Sequence, residues 1–281
     1  MHEVEWDLSV SSRPRLLDIK LKELIRYRDL IFMFFFRDFI TTYKQTVLGP
    51  LWHIVSPLCQ TVVYAFVFGN IAGIGTDGVP KLLFYYSGTM LWTLFSTSLN
   101  TASGIFINNA GVFGKVYFPR LTVPIATSMS AVLKMLVQFA MLMAFFVYFI
   151  LAGRDVRPTA LAFLFPLMVI WLCALGTGLG MIMSALTTKY RDLSHVLGLI
   201  LQLTMFVTPV VYPLSQVPER FKSFFYANPL SAPMEIFRIW FYGVGNVPLE
   251  MIVISISVTI VSLFLGLILF SRNSRTFMDV I

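Results

Sequence analysis

Long apolar runs separated by short polar breaks dominate this chain, and their lengths predict its architecture. A helix crossing a hydrocarbon core of roughly 30 Å needs about 20 mostly apolar residues. Windows near 53–72, 82–105, 123–151, 159–186, 194–213 and 248–270 meet that test. The pattern predicts an all-α integral membrane protein with six transmembrane helices. The runs are apolar on every side, so periodicity does not say which face of each helix meets lipid and which meets protein.

Two passages break the pattern. The first is FRDFITTYKQTVLGPLW, residues 36–52, which sets Arg37, Asp38, Tyr43, Lys44 and a Gly49-Pro50 break before the first long apolar window. Upstream of it, LLDIKLKELIRYRDLIFMFFF is too short in its apolar part to span. Leu17, Leu21, Leu24 and Ile25 recur at helical spacing while Asp18, Lys20, Lys22 and Glu23 face away. This is the pattern of an amphipathic helix lying along a membrane interface. Residues 1–52 are therefore read as an N-terminal segment with an interfacial helix, and 53–281 as the membrane domain.

The second passage runs from 209 to 247. It is too apolar for a free loop, yet Pro209, Pro213, Pro218, Pro229 and Pro233 forbid one continuous helix. Two short helices within 214–247, meeting at Asn228-Pro229, solve the conflict by dipping partway into the membrane as a broken, re-entrant pair. Non-helical backbone at that depth is tolerated where it is buried in protein or lines an aqueous cavity, which points to a pathway or its gate. An amphipathic cap on the outer surface is the competing reading.

Composition agrees. Of 281 residues, 57% are hydrophobic and 12% charged, against about a quarter charged in soluble domains. Cys59 and Cys173 both fall inside predicted spans and make no disulfide framework. The opening MHEVEWDLSV has no basic stretch leading into an apolar core, so no cleaved signal peptide is expected.

The net charge of +7 is unevenly placed. With both termini inside, fourteen Lys and Arg fall on the cytoplasmic side and six outside, while Lys134 lies within a span. That is the positive-inside asymmetry, and it reports orientation and anionic lipid rather than nucleic acid.

Catalytic patterns are missing. There is no HExxH or CxxC, and the histidines His2, His53 and His195 are far apart. His53 and His195 read as polar residues at the membrane interface. The outer acids are scattered, and Glu235 with Arg238, three residues apart, reads as a local ion pair. GVFGKVYF lacks the glycine spacing and the Ser or Thr of a P-loop, so no nucleotide site is expected in this chain. One ionisable residue within the spans, Lys134, makes a poor proton relay; it is read as snorkelling, pairing across a subunit interface, or functional.

Five separated pieces carry a resemblance: FRDFITTYKQTVLGPLWHIVSP (36–57), GVFGKVYFPRLTVP (111–124), TTKYRDL (187–193), TPVVYPLSQVP and NPLSAPMEIFR (within 208–238). In this order the chain resembles the membrane subunit of an ABC transporter of the type-2 permease family, in the branch exporting O-antigen, capsule or teichoic acid polysaccharides. The resemblance implies a homodimer of permeases with two ATPase subunits, which bind ATP and Mg in place of any cofactor here. Contact with those subunits is implied for Arg37, Asp38, Tyr43 and Lys44, for Lys115, Tyr117, Pro119 and Arg120 in the first cytoplasmic turn, and for Lys189, Tyr190, Arg191 and Asp192 in the second. It implies an external gate at Asn228 and Pro229.

A path mainly on the first and fifth spans is also implied, with Tyr64, Phe68, Phe206 and Tyr212 as candidates and Trp92 and Tyr226 behind them. Aromatic faces suit pyranose rings. Arg26, Arg28, Arg37 and Lys44 are candidates to attract the pyrophosphate-type headgroup of a lipid-linked polysaccharide at the inner membrane surface. Two rivals stay open: a type-2 ABC exporter of a drug or small lipid, and an ATP-independent channel or scaffold.

Overall fold

A computed structural model describes residues 21–113, 118–154, 156, 158–190 and 192–276, and among these it is all-helical. α1 (Leu21–Arg26) and α2 (Arg28–Tyr43) come first. A 3-10 turn at Gly49–Leu51 leads into α3 (Trp52–Tyr64), which runs on as a π-helical stretch, Ala65–Ile71. α4 (Lys81–Ser103) and the single turns α5 (Ile105–Asn108) and α6 (Ala110–Phe113) precede α7 (Thr122–Leu151). α8 (Phe165–Thr187), α9 (Leu193–Val207), α10 (Glu219–Ala227), α11 (Ser231–Tyr242) and α12 (Leu249–Thr276) complete the described chain.

Among the described residues, four stretches are long and apolar enough to cross a membrane: Gly49–Ile71, Thr122–Leu151, Ala160–Thr187 and Leu249–Asn273. The window at 82–105 forms α4, which has the same 23 residues as α8 but is less apolar. The window at 194–213 forms a helix of only 15 residues that ends at Val207. Pro209 explains the early stop: a residue before proline is pushed to extended backbone, and Thr208 sits at φ −97°, ψ 141°.

α4 is the central helix, buried almost continuously from Leu83 to Leu99. Its lower hydropathy is tolerable because it is surrounded by protein, not lipid. Two of its buried hydroxyls are satisfied on their own helix, Ser87 donating to the Phe84 carbonyl and Thr89 to that of Tyr85. α8 packs closely on it through small residues. A Cβ added at Gly176 would stand 2.7 Å from the Phe95 carbonyl oxygen, and one at Gly180 would stand 2.5 Å from Ala102 Cβ. Between them Gly178 faces the other way, where a Cβ would meet Leu263 N of α12 at 2.8 Å. Such approach is how helices associate inside a bilayer, where lipid removes most of the hydrophobic incentive.

Two ends of the bundle are built differently. At one, Phe34 of α2, Phe106 of α5, Phe113 of α6, Phe118 and Phe270 of α12 form a buried aromatic cluster. Phe106 stacks on Phe270 at 4.7 Å, and Phe34 lies 5.5 Å from Phe118. α2 is thereby held against the bundle while Phe32, Met33, Phe36 and Ile40 stay exposed. In α1, Leu24 is buried as its stripe predicts, but Ile25 is 70% exposed, because the helix breaks at Tyr27 before a second turn is complete. Leu17, Asp18 and Lys20 lie outside the described residues.

At the other end α11 is a core element rather than a surface one. Ten of its residues are buried, and its Phe237 and Phe241 stack at 4.4 Å beside Phe165 of α8 and Phe146 of α7. Gly243, at φ 70°, closes it with a left-handed cap whose N–H donates to Ile239. α10 has no buried residue and keeps an exposed Lys222–Glu219 pair at 2.5 Å. The broken pair is thus an exposed helix, α10, followed by a buried one, α11.

Candidate functional site

The polar turns gather at the first end. Arg37, near the end of α2, donates to Asp38 Oδ1 through Nε (3.0 Å) and Nη2 (2.7 Å), and to Asn109 Oδ1 at 3.0 Å. It also lies 4.8 Å over the Phe34 ring. A neighbouring-residue ion pair thus fastens α2 to the turn between α5 and α6. Arg28 and Asp29 repeat the self-pairing at 3.7 Å with both side chains exposed. Arg26 and Lys44 are exposed.

Tyr43 closes α2 with its ring edge-on to Phe39 (4.6 Å) and to His53 (5.4 Å), and burial raises its phenol pKa above the ordinary value. The chain then turns at Gly49, φ 51°, as the Gly49-Pro50 break predicts. It also turns at Gln45, φ 65°, a left-handed position that no glycine announces.

In the first turn Pro119 accepts the N–H of Thr122 at 3.0 Å, which starts α7, and Arg120 lies over Phe113 at 5.8 Å. In the second, Lys189 lies over the exposed Tyr190 ring at 5.2 Å, and exposed Asp192 precedes α9. Lys115, Tyr117 and Arg191 lie outside the described residues. Thr187 donates to the Ser103 carbonyl at 3.2 Å, and Asn273 donates to Thr188 at 3.0 Å. The ends of α4, α8 and α12 are therefore joined beside both turns, and the structure brings Arg37, Asp38, Pro119, Arg120 and Lys189 to one end of the bundle.

The path candidates divide. The Tyr64 hydroxyl donates to Met205 Sδ at 3.7 Å, joining α3 to α9, with Phe68 edge-on to Tyr64 at 5.9 Å. Phe206 is 47% exposed, and the Tyr212 hydroxyl donates to its carbonyl at 2.5 Å. Tyr226 is half-buried on α10. Trp92, by contrast, is buried in the core against Phe95, so it backs a wall and does not face one.

The gate candidates are pinned at the opposite end. Asn228 donates to Thr208 Oγ1 at 3.0 Å and to the Val207 carbonyl at 3.3 Å, while its Oδ1 accepts the Leu230 N–H at 3.0 Å. Ser255 of α12 donates to the Pro229 carbonyl. The α10–α11 corner is thus tied to both α9 and α12.

Beneath it lies a tie that sequence spacing made look minor. Glu235 and Arg238 form an ion pair, 1% and 3% exposed. Arg238 also donates to the Pro209 carbonyl at 2.5 Å and stacks 4.1 Å over Phe84, while Glu235 accepts the Leu214 N–H at 3.3 Å. Two charges in the otherwise apolar EIFRIWFY were the available signal; what they hold, the turn after α9, was not readable.

Among the described residues, a bundle of long apolar helices with polar turns gathered at one end and a broken helix pair locked across the other is the architecture of a multi-pass membrane protein. The chain belongs to the ABC-2 type transporter family, whose sequence pattern matches residues 29–242. It is 28% identical over 269 residues to the O-antigen export system permease protein RfbA of Klebsiella pneumoniae, covering 94% of this chain and 100% of that one. It is 27% identical over 263 residues to RfbA of Myxococcus xanthus, covering 93% and 98%. It is also 26% identical over 247 residues to the polysialic acid transport protein KpsM of Escherichia coli, covering 86% and 92%.

Proposed function

We propose that this chain is the permease subunit of an ATP-driven ABC exporter that moves lipid-linked polysaccharide across the cytoplasmic membrane. The observation that carries the reading is similarity along nearly the whole chain to permeases named for O-antigen export and polysialic acid transport. In this reading the chain has no ATPase site, and two partner subunits bind ATP and Mg. Six helices span the bilayer, α4 and α9 among them, with both termini in the cytoplasm. Residues 1–52 form the interfacial segment, and 53–281 the permease domain.

The end that carries Arg37, Pro119, Arg120 and Lys189 faces the ATPase. Polar, orientable groups suit a force-bearing contact that forms and breaks in water. Two copies of the chain pair through the apolar outer faces of α3 and α9, and Tyr64, Phe68, Phe206 and Tyr212 line the path between them. Sugar rings stack on such faces while their hydroxyls stay hydrated. Exposed Arg26 and Lys44 attract the headgroup of the lipid carrier, with Arg28 and Arg37 contributing through their paired guanidinium groups. The Asn228–Pro229 corner opens and closes the outer end.

The test is purification of the tagged chain from its native membranes in mild detergent. A co-purifying subunit that hydrolyses ATP, and that crosslinks to cysteines placed at Lys189 and Arg120, supports the assignment. Ion conduction by the chain alone, with no ATPase bound, overturns it.

A further inference from the structure

Behind α2, between α4 and α7, a cavity of about 470 Å³ is lined by Arg37, Asp38, Thr101, Asn109, Ser130 and Lys134, among others. A smaller one of about 90 Å³ continues inward, lined by His53, Thr93, Leu94, Gln138 and again Lys134. Thr97, Ala131 and Lys134 border both, so the two form one tract from the polar end of the bundle into its membrane-spanning part. Lys134 stands where they join.

The walls of the outer part mostly accept. Thr41, Thr42, Thr101, Thr127 and Ser130 each donate their hydroxyl to a carbonyl on their own helix. Only their lone pairs remain for the cavity, which suits a hydrated vestibule. The inner part is different. Lys134 makes no hydrogen bond or ion pair with any described residue, and its nearest acid, Asp38, is already held by Arg37. Gln138 is 1% exposed, and its Oε1 has no partner. His53 Nε2 is buried and also without a partner. The Gln138 amide can be turned to present its NH₂ instead. Three donors, one of them charged, then converge on a space equal to about three waters, too small for a pyranose ring.

A cation inside a membrane helix is expensive and persists where something is gained from it. The titratable groups facing the tract are Arg37, Asp38, Lys134 and His53; Asp38 is ion-paired to Arg37 and attracts Lys134 only from a distance, so the balance of the tract stays positive. We infer that the inner end, formed by Lys134, His53 and Gln138, is a binding site for a phosphate group, reached through the hydrated vestibule from the polar end. The phosphate is supplied either by a lipid headgroup or by a free phosphate in solution. The site lies deeper than the surface-exposed Arg26 and Lys44, and it does not require that the chain be an exporter.

The experiment measures binding of farnesyl pyrophosphate, inorganic pyrophosphate and farnesol to the purified full chain by calorimetry. The Arg26→Gln/Lys44→Gln background keeps surface attraction from masking the result. Farnesyl pyrophosphate is expected to bind, and Lys134→Gln to weaken it at least about tenfold, while Lys134→Arg retains most of the affinity. Weakening of inorganic pyrophosphate by the same variant assigns the site to phosphate of either source. Binding of the farnesyl form alone assigns it to a lipid headgroup.

Unchanged pyrophosphate affinity in Lys134→Gln, or farnesol binding as well as the pyrophosphate, overturns the site. Should Lys134→Gln not fold, Gln138→Leu is expected to weaken binding severalfold, and full affinity there overturns it equally. No ATPase or polysaccharide enters the assay, so its failure leaves the exporter reading standing.

Discussion

Truncating Arg238 tests whether the outer end is held by a buried charge pair. Arg238→Ala removes three contacts together: the pair with Glu235, the bond to the Pro209 carbonyl and the stacking over Phe84. It leaves the Glu235 carboxylate, 1% exposed, with only the Leu214 N–H. Breaking a buried pair from one side costs about 3–5 kcal/mol, because the remaining charge stays buried and unpaired. At about 2–4 °C of melting temperature per kcal/mol for a chain near this size, the midpoint should fall by roughly 10 °C. Replacing both charges by neutral groups of similar shape, Glu235→Gln with Arg238→Met, should recover much of that loss, since no bare charge remains. The assay is thermal unfolding of the purified protein in detergent, followed by tryptophan fluorescence at a fixed scan rate, because such unfolding is commonly irreversible. A midpoint for Arg238→Ala within about 2 °C of wild type, the range of an ordinary surface substitution, would falsify the reasoning.

Other perturbations reach different parts of the molecule. Gly180→Leu should prevent close packing of α8 on α4, since even a Cβ there meets Ala102 at 2.5 Å and Leu99 O at 2.6 Å; a loss of about 1–3 kcal/mol or more is expected, seen as a lower melting midpoint, and an unchanged midpoint contradicts the packing. Asn228→Ala removes two donor contacts and one acceptor contact at the α10–α11 corner; each is worth about 1 kcal/mol, and faster proteolysis near 228 in intact vesicles is the expected readout. Burial raises the Tyr43 phenol pKa, so the stability it contributes is present below its unfolded pKa and lost as pH rises through the folded value; Tyr43→Phe should therefore hold its melting midpoint better than wild type at strongly alkaline pH, and identical alkaline profiles contradict this.

Much of the helix order was legible because a bilayer imposes one length on every crossing. The six apolar windows became helices, and the corner at Asn228-Pro229 stands where proline spacing placed it. What stayed hidden was tertiary. Gly176, Gly178 and Gly180 alternate between two partner helices, a direction that an all-round apolar helix does not encode. Glu235 and Arg238 looked local at spacing three, yet Arg238 holds Pro209, 29 residues upstream, and Glu235 holds Leu214, 21 upstream. His53 read as an interfacial residue and Lys134 as an isolated cation. Only the packing of α3 against α7 brings both to the same cavity. α9 stops short of its apolar window because Pro209 restricts Thr208, a one-residue effect that window averaging smooths away.

If this chain forms an export path powered by a partner ATPase, polysaccharide crosses the bilayer only while ATP is hydrolysed. The most direct measurement reconstitutes the chain with its co-purified ATPase in liposomes and follows lipid-linked polysaccharide to the far leaflet by digestion with an added glycosidase. Protection is expected to be lost only with ATP and Mg, and lost more slowly when Lys189 and Arg120 are replaced by alanine. Equal exposure of the polysaccharide without ATP, or none with ATP in a complex that hydrolyses it, contradicts ATP-driven export through this chain.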